Sequence, residues 1–227
     1  MKLTEKQLCK YFDHTNLKPY ATKEDFVTLC NEAKTLGTAM VAINSSPVKM
    51  CKELLEGTDV HVGAAIGFPL GQTTIETKVF ETINAIENGA DEVDYVINIG
   101  ELKMGNWDYI KDEMTRITKA CKERDILIKV IFENCYLEDV EKIKLAEIAR
   151  EVKPDYIKTS TGFGTGGATI KDVMLMKSIV KDEVKVKAAG GIRDWETCKA
   201  MIEAGAERIG TSSSLKIVEE FKASGDK

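Results

Sequence analysis

Along its whole length the chain repeats one unit: a short β-rich run, a turn, then a segment with apolar residues at helical spacing. The strand-like runs fall at about 12–15, 39–44, 61–67, 92–98, 127–133, 156–160, 185–189 and 208–211. Helical spacing fills the intervals at about 23–36, 47–55, 74–88, 107–122, 137–152, 170–180 and 195–204, and a last helix starts near Ser214. Gly37, Gly89 and Gly205 each follow a helical segment, where a left-handed C-terminal cap belongs. Strands that alternate with helices pair in parallel through right-handed crossovers. Eight such units in 227 residues predict a closed (β/α)8 TIM barrel, residues 1–227 forming a single domain. Thr4 and Gln7 fit a capping box, which adds a short extra helix at the N-terminus. An open doubly wound sheet alternates too, but eight units without a second-domain break favour closure.

Composition removes several functions. Hydrophobic residues make up 43% and charged residues 30% of the chain, an ordinary globular profile, and the net charge of −5 gives no basic footprint for nucleic acid. No window approaches the ~18 apolar residues of a membrane span, and the start Met1-Lys2-Leu3-Thr4 carries no signal-like apolar core. The six cysteines include no CxxC pair, and His14 and His61 are far apart, so neither a metal site nor a disulfide framework is expected. A cytoplasmic protein with reduced, buried thiols follows. Whether it forms a homo-oligomer is left open, because the outer helix faces bury surface either way.

Polar residues inside strands carry the chemistry. Lys158 sits in Tyr156-Ile157-Lys158-Thr159-Ser160-Thr161-Gly162, and Lys187 in Val184-Lys185-Val186-Lys187-Ala188-Ala189-Gly190-Gly191. A lysine in a strand is ordinarily an edge or snorkelling residue. That explanation weakens where Thr, Ser and Gly end the strand at once, as after Lys158, or where two glycines do, as after Lys187. Lys185 and Lys129 stay nearer the ordinary explanation, and Glu133 has Lys129 as its simplest partner. Alternation puts Asp94 on a face with Val96 and Asn98, and Asp13 on a face with Thr15. Acids and amines sharing an interior must compensate one another. An amine that shares a desolvated site with another cation is driven toward its neutral form, which is a nucleophile for carbonyl carbon.

Glycines and serines at the ends of later strands suit an anion. Gly162-Phe163-Gly164-Thr165-Gly166-Gly167 matches GxGxxG, with Asp182 about twenty residues on, so a nicotinamide-dependent oxidoreductase is one rival. The run follows a sixth strand rather than opening the first unit, and a phosphate-contacting loop starting at Gly162 explains the same glycines. Gly190-Gly191 ends the seventh strand, and Gly210-Thr211-Ser212-Ser213-Ser214 leads from the eighth into a helix, the usual phosphate position in such barrels. A single N-cap needs one serine, and three are present. Residue chemistry thus reaches carbonyl chemistry on a phosphorylated metabolite. A non-catalytic phosphosugar-binding barrel is the second rival, and it would not be expected to retain Lys158, Lys187 and Asp94 together.

Glu92-Val93-Asp94, Ile157-Lys158-Thr159-Ser160-Thr161-Gly162 and Val186-Lys187-Ala188-Ala189-Gly190-Gly191-Ile192-Arg193 are the most specific of the segments by which the chain resembles the deoxyribose-phosphate aldolase family. The resemblance runs from Phe12-Asp13-His14-Thr15 through Gly63-Ala64-Ala65-Ile66-Gly67-Phe68-Pro69 to Gly210-Thr211-Ser212-Ser213. It implies a class I aldolase on a (β/α)8 barrel that cleaves 2-deoxy-D-ribose 5-phosphate to D-glyceraldehyde 3-phosphate and acetaldehyde, reversibly, with no metal or cofactor, in deoxyribonucleoside catabolism. By position it makes Lys158 the Schiff-base lysine, Lys187 the second lysine that perturbs it, and Asp94 the proton-relay acid. Gly190, Gly191, Ser212 and Ser213 fall where the family holds phosphate. Three departures stand out: Ala42 where many relatives have cysteine, Ser214 where many have glycine, and a tail Phe221-Lys222-Ala223-Ser224-Gly225-Asp226-Lys227 without the terminal tyrosine of some members.

Overall fold

Eight parallel strands follow one another in sequence order around a closed barrel, with the first hydrogen-bonded to the last. The computed structural model describes residues 3–225; Met1 and Lys2 of the start, and Asp226 and Lys227 of the tyrosine-free tail, lie outside the described residues. The strands are β1 (Phe12–Thr15), β2 (Met40–Asn44), β3 (His61–Ile66), β4 (Glu92–Val96), β5 (Leu127–Ile131), β6 (Tyr156–Lys158), β7 (Lys185–Ala189) and β8 (Arg208–Thr211). The helices are α1 (Glu5–Cys9), α2 (Lys23–Leu36), α3 (Val48–Leu54), α4 (Ile75–Glu87), α5 (Ile99–Lys103), α6 (Trp107–Lys122), α7 (Asp139–Val152), α8 (Ile170–Val180), α9 (Trp195–Glu203) and α10 (Ser214–Ser224). The extra helix α1 carries the expected capping box, with Thr4 N donating to Gln7 Oε1 at 2.9 Å. Gly37 caps α2 in the left-handed conformation at φ 67°.

Alternation along each strand sorts the core into two shells. Outward-facing Phe12, Val41, Val62, Val93, Val130, Ile157, Val186 and Ile209 are fully buried under the helices and form the continuous apolar core. Inward-facing positions are unusually polar: Asp13, Glu92, Asp94, Lys129, Lys158, Lys187 and Arg208 are all buried. Register places them side by side, with Asp94 opposite Lys129, Lys158 opposite Lys187, and Lys187 opposite Arg208. Gly63 makes room for Met40 in this interior, since a Cβ on it would lie 2.1 Å from Met40 Sδ.

Four strands stop short of the expected ends, β3 by a single residue at Ile66. The sequence pattern carries β4 to Asn98, β5 to Glu133 and β6 to Ser160, but pairing ends at Val96, Ile131 and Lys158. The residues beyond lead into the loops over the barrel mouth. Asn98 caps α5 by accepting from Glu101 N at 3.2 Å, and Glu133 adopts φ 57° to open a 3-10 turn at Asn134–Tyr136. Neither short element shows in the pattern, because five residues or fewer span barely one helical period. A buried pair, Lys78 and Glu113, also escaped that reading. Lys78 Nζ lies 2.6 Å from Glu113 Oε1 and donates to Val96 O at 2.7 Å, while Glu113 Oε2 accepts from Asn98 N at 3.0 Å. These contacts brace the point where the chain leaves β4. Among the described residues no helix is long and apolar enough to cross a membrane.

Candidate active site

The inward-facing charges form a closed ring. Arg208 Nη2 donates to Glu92 Oε1 at 2.7 Å, Glu92 Oε2 pairs with Lys129, and Lys129 Nζ donates to Asp94 Oδ1 at 2.8 Å. Asp94 Oδ2 then accepts from Lys187 at 2.6 Å, Lys187 is ion-paired with Asp13 Oδ2, and Asp13 Oδ1 accepts from Arg208 Nε at 2.6 Å. Within the ring each of these six groups touches two of opposite sign. Lys158 hangs from the ring at one point, 2.8 Å from Asp94 Oδ2. His61, half-exposed at the N-terminal mouth, reaches Glu92 Oε1 with Nδ1 at 2.8 Å.

Ionisation follows from this arrangement. Burial pulls the Lys158 amine down to about 8; Asp94 opposes the shift, and Lys187 and Lys129 add to it. Removal from water is the largest cause of this shift, and the charge of Lys187 a smaller one. Burial alone would raise the Asp94 carboxyl, yet Lys129, Lys158 and Lys187 together hold it well below its usual range. Burial works against the Lys129 ammonium, and Asp94 and Glu92 overcome it, so Lys129 stays firmly charged. A primary amine that titrates near 8 presents its lone pair to a carbonyl carbon at neutral pH.

A cavity of about 480 Å³ opens at the C-terminal ends of the strands, with Lys158 in its wall. Gly162, Gly190, Gly191 and Ser212 also line it, as does the exposed Arg193. Ser213 is not part of the wall; it precedes α10, and its N–H donates to Thr211 Oγ1 at 2.9 Å, with no side-chain cap on the helix. Gly190 and Gly191 have φ 86° and 80°, and a Cβ on Gly167 would lie 2.2 Å from Gly190 O. Gly164 is crowded in the same way, since a Cβ there would lie 2.7 Å from Cys135 Sγ. Close packing of loop on loop thus accounts for two glycines of the GxGxxG match. Phe163 meets Phe68 edge-to-face across the mouth, ring centroids 5.4 Å apart.

Lys158, Lys187 and Asp94, predicted together, are brought together. Lys185 is exposed beside the Tyr156 ring, as its ordinary explanation required. Two expectations change. Lys129 is fully buried within the ring, and Glu133 pairs not with Lys129 but with Thr161, accepting from its backbone N–H at 3.1 Å and from its hydroxyl. Parity with Ile131 already placed Lys129 on the inward face; the ordinary role of strand lysines outweighed it. Glu92 and Arg208 were missed because each opens its strand, where a charge commonly meets solvent. His14 was missed as well: its Nε2 lies 2.7 Å from Glu32 Oε2 and its Nδ1 3.0 Å from Ser214 Oγ, tying β1 to α2 and α10 beside the cavity. The departure at Ser214 was its signal. Among the described residues no three His, Cys, Asp or Glu side chains cluster as a metal site.

A family model described as DeoC/LacD family aldolase matches residues 7–220. A deoxyribose-phosphate aldolase from Lactobacillus acidophilus is 59% identical over 98% of this chain and 94% of its own length. Another from Thermococcus gammatolerans is 56% identical over 93% of this chain and 95% of its own. A solved tetrameric deoxyribose phosphate aldolase from Aeropyrum pernix is 34% identical, with a TM-score of 0.90 over 97% of this chain and 93% of that one. Orotidine 5'-phosphate decarboxylase from Pyrococcus horikoshii, 17% identical with a TM-score of 0.64, shares the fold alone. The molecule is accordingly an aldolase, a lyase carried on a (β/α)8 barrel. Within that class, the chain belongs to the DeoC/LacD aldolase family.

Proposed function

We propose that this chain cleaves 2-deoxy-D-ribose 5-phosphate reversibly to D-glyceraldehyde 3-phosphate and acetaldehyde through an imine on Lys158, in the breakdown of deoxyribonucleosides. The observation that carries the proposal is a buried amine, titrating near 8, in the wall of a cavity whose other walls offer glycine backbone and Ser212. The neutral amine adds to the C1 aldehyde of the open-chain sugar, and loss of water leaves a protonated imine. That cation accepts the electron pair as the C2–C3 bond breaks, leaving an enamine on Lys158 and an aldehyde at C3. 

The proton of the C3 hydroxyl passes to Asp94, directly or through Lys187, and the same acid returns a proton to the enamine carbon. Hydrolysis of the resulting imine frees acetaldehyde and the amine. Backbone N–H groups at Gly190 and Gly191, with Ser212 and the start of α10, hold the phosphate and fix the far end of the sugar. The tetrameric Aeropyrum relative supports a homo-oligomer here too.

Acetaldehyde with borohydride is the direct test. A covalent adduct is expected on Lys158, formed at a rate that rises with pH through about 8. An adduct mapped to Lys187 or Lys185, with Lys158 unlabelled, would reassign the nucleophile. Ser212→Asp tests the phosphate end. A carboxylate against the phosphate is expected to raise KM for deoxyribose 5-phosphate on the order of 10²-fold, with little change for unphosphorylated deoxyribose. Equal losses on both substrates would remove Ser212 from the phosphate site.

A further inference from the structure

The buried ring and the Lys158 that hangs from it together hold one more base than acid. Facing one another inside the barrel are the bases Lys129, Lys158, Lys187 and Arg208 and the acids Asp13, Glu92 and Asp94. Three acids balance three bases. The ring pairs Lys129, Lys187 and Arg208 with two carboxylates each, whereas Lys158 shares one oxygen of Asp94 with Lys187. The base with the poorest compensation is the one that sheds its proton most cheaply. Lys129 does not touch the cavity; it acts from the layer below.

We propose that Lys129 is a positioning residue that, by completing the ring with Glu92, leaves Lys158 as the surplus base of the barrel and keeps that amine reactive. This rests on Lys158 being the imine-forming lysine. Lys129 binds Asp94 Oδ1 at 2.8 Å, so that carboxylate presents only Oδ2 to Lys158 and Lys187. The groups facing Lys129 are Glu92 and Asp94 on β4, Tyr156 and Lys158 on β6, Lys187 on β7, Arg208 on β8 and Asp13 on β1, with Met40 Sδ of β2 at 3.6 Å. His61 lies one step further, on Glu92.

The count gives two variants effects of opposite sign. Lys129→Met leaves three bases facing three acids, so Lys158 is balanced when protonated. Its remaining partners stay paired, Glu92 with Arg208 and Asp94 with Lys158 and Lys187. Glu92→Gln leaves four bases facing two acids, which drives the proton off Lys158 more strongly. The readout is the pH midpoint of borohydride trapping with acetaldehyde, with the adduct mapped to its lysine. In Lys129→Met the midpoint is expected to rise by about one unit, slowing trapping at pH 7 about tenfold. In Glu92→Gln it is expected to fall, and trapping at pH 7 to speed up. Lys129→Arg, which keeps the charge, is expected to restore the parent midpoint. A purely structural role would lower stability or turnover without moving midpoints in opposite directions. Unmoved midpoints, or shifts of the same sign, overturn the proposal. If Lys129→Met does not fold, Glu92→Gln and Lys129→Arg still decide the sign. Absence of any Lys158 adduct in the unaltered protein overturns the Schiff-base reading instead.

Discussion

Lys158→Met is expected to lower cleavage of deoxyribose 5-phosphate on the order of 10⁴-fold or more, because among the described residues Lys158 is the one buried amine that lines the cavity, the other lysine in its wall, Lys18, being exposed. The same substitution is expected to leave the protein no less stable at pH 7. Lys158 titrates at about 8 in the fold against an ordinary value of 10.5, so the unfolded chain holds this proton more tightly. A base depressed in this way subtracts stability in full below about 8, and the penalty fades as pH rises toward 10.5. The penalty amounts to about 3 kcal/mol at neutral pH. Methionine removes it and fills similar volume, while Asp94 keeps Lys129 and Lys187 as partners. Denaturant unfolding at several pH values checks the sign: the variant's advantage should be largest near pH 7 and shrink toward pH 10. Retention of a tenth of the activity, or a fall in stability at pH 7, would contradict the assignment. Loss of activity with unchanged or raised stability separates a functional lysine from a structural one.

The barrel was legible because its period is long and repeated. Each strand alternates, each helix shows its own spacing, and Gly37 marks a helix end by a backbone conformation that few other residues take. The short pieces were not legible. At α5 a cap and a few polar residues are all the sequence offers, and β6 pairs over only Tyr156–Lys158 because Thr159 to Thr161 are drawn into contacts with β7 and Glu133. Within the site, strand-end glycines betrayed Lys158 and Lys187, whereas Lys129 is followed by ordinary apolar residues. Its role depends on which strands sit beside β5, and a single strand does not contain that information. Glu92 at the start of β4 and Arg208 at the start of β8 pose the same problem: their partners lie 37 and 116 residues away from Glu92. Charge compensation across a closed barrel is a property of closure, so it becomes readable only once the strand order and register are known.

Asp94→Asn is expected to uncouple the two halves of the reaction. Among the described residues, this carboxylate is the one group that ion-pairs with Lys129, Lys158 and Lys187 together. Without it Lys129 retains Glu92 and Lys187 retains Asp13, but Lys158 has no carboxylate partner. Breaking a buried ion pair from one side costs about 3–5 kcal/mol. The lower end applies here, because Lys158 can lose its proton and so avoid standing as an uncompensated cation. The pH dependence has a definite sign. The Asp94 carboxyl titrates well below 3.8 in the fold, so its contribution is present above the unfolded value and is lost as pH falls through the folded one. The stability gap between the parent and Asp94→Asn should hold steady from about pH 5 to 7 and narrow only in stronger acid. For catalysis, the amine should become easier to deprotonate, so borohydride trapping of acetaldehyde on Lys158 at pH 7 should persist or accelerate. Cleavage of deoxyribose 5-phosphate should nonetheless fall by about 10²–10⁴-fold, since the group that takes the C3 hydroxyl proton is gone. Trapping lost in step with cleavage would make Asp94 a structural counter-ion to the imine lysine. Trapping kept while cleavage collapses would place it in the proton transfers, because imine formation and carbon–carbon cleavage would then depend on different atoms of the same buried cluster.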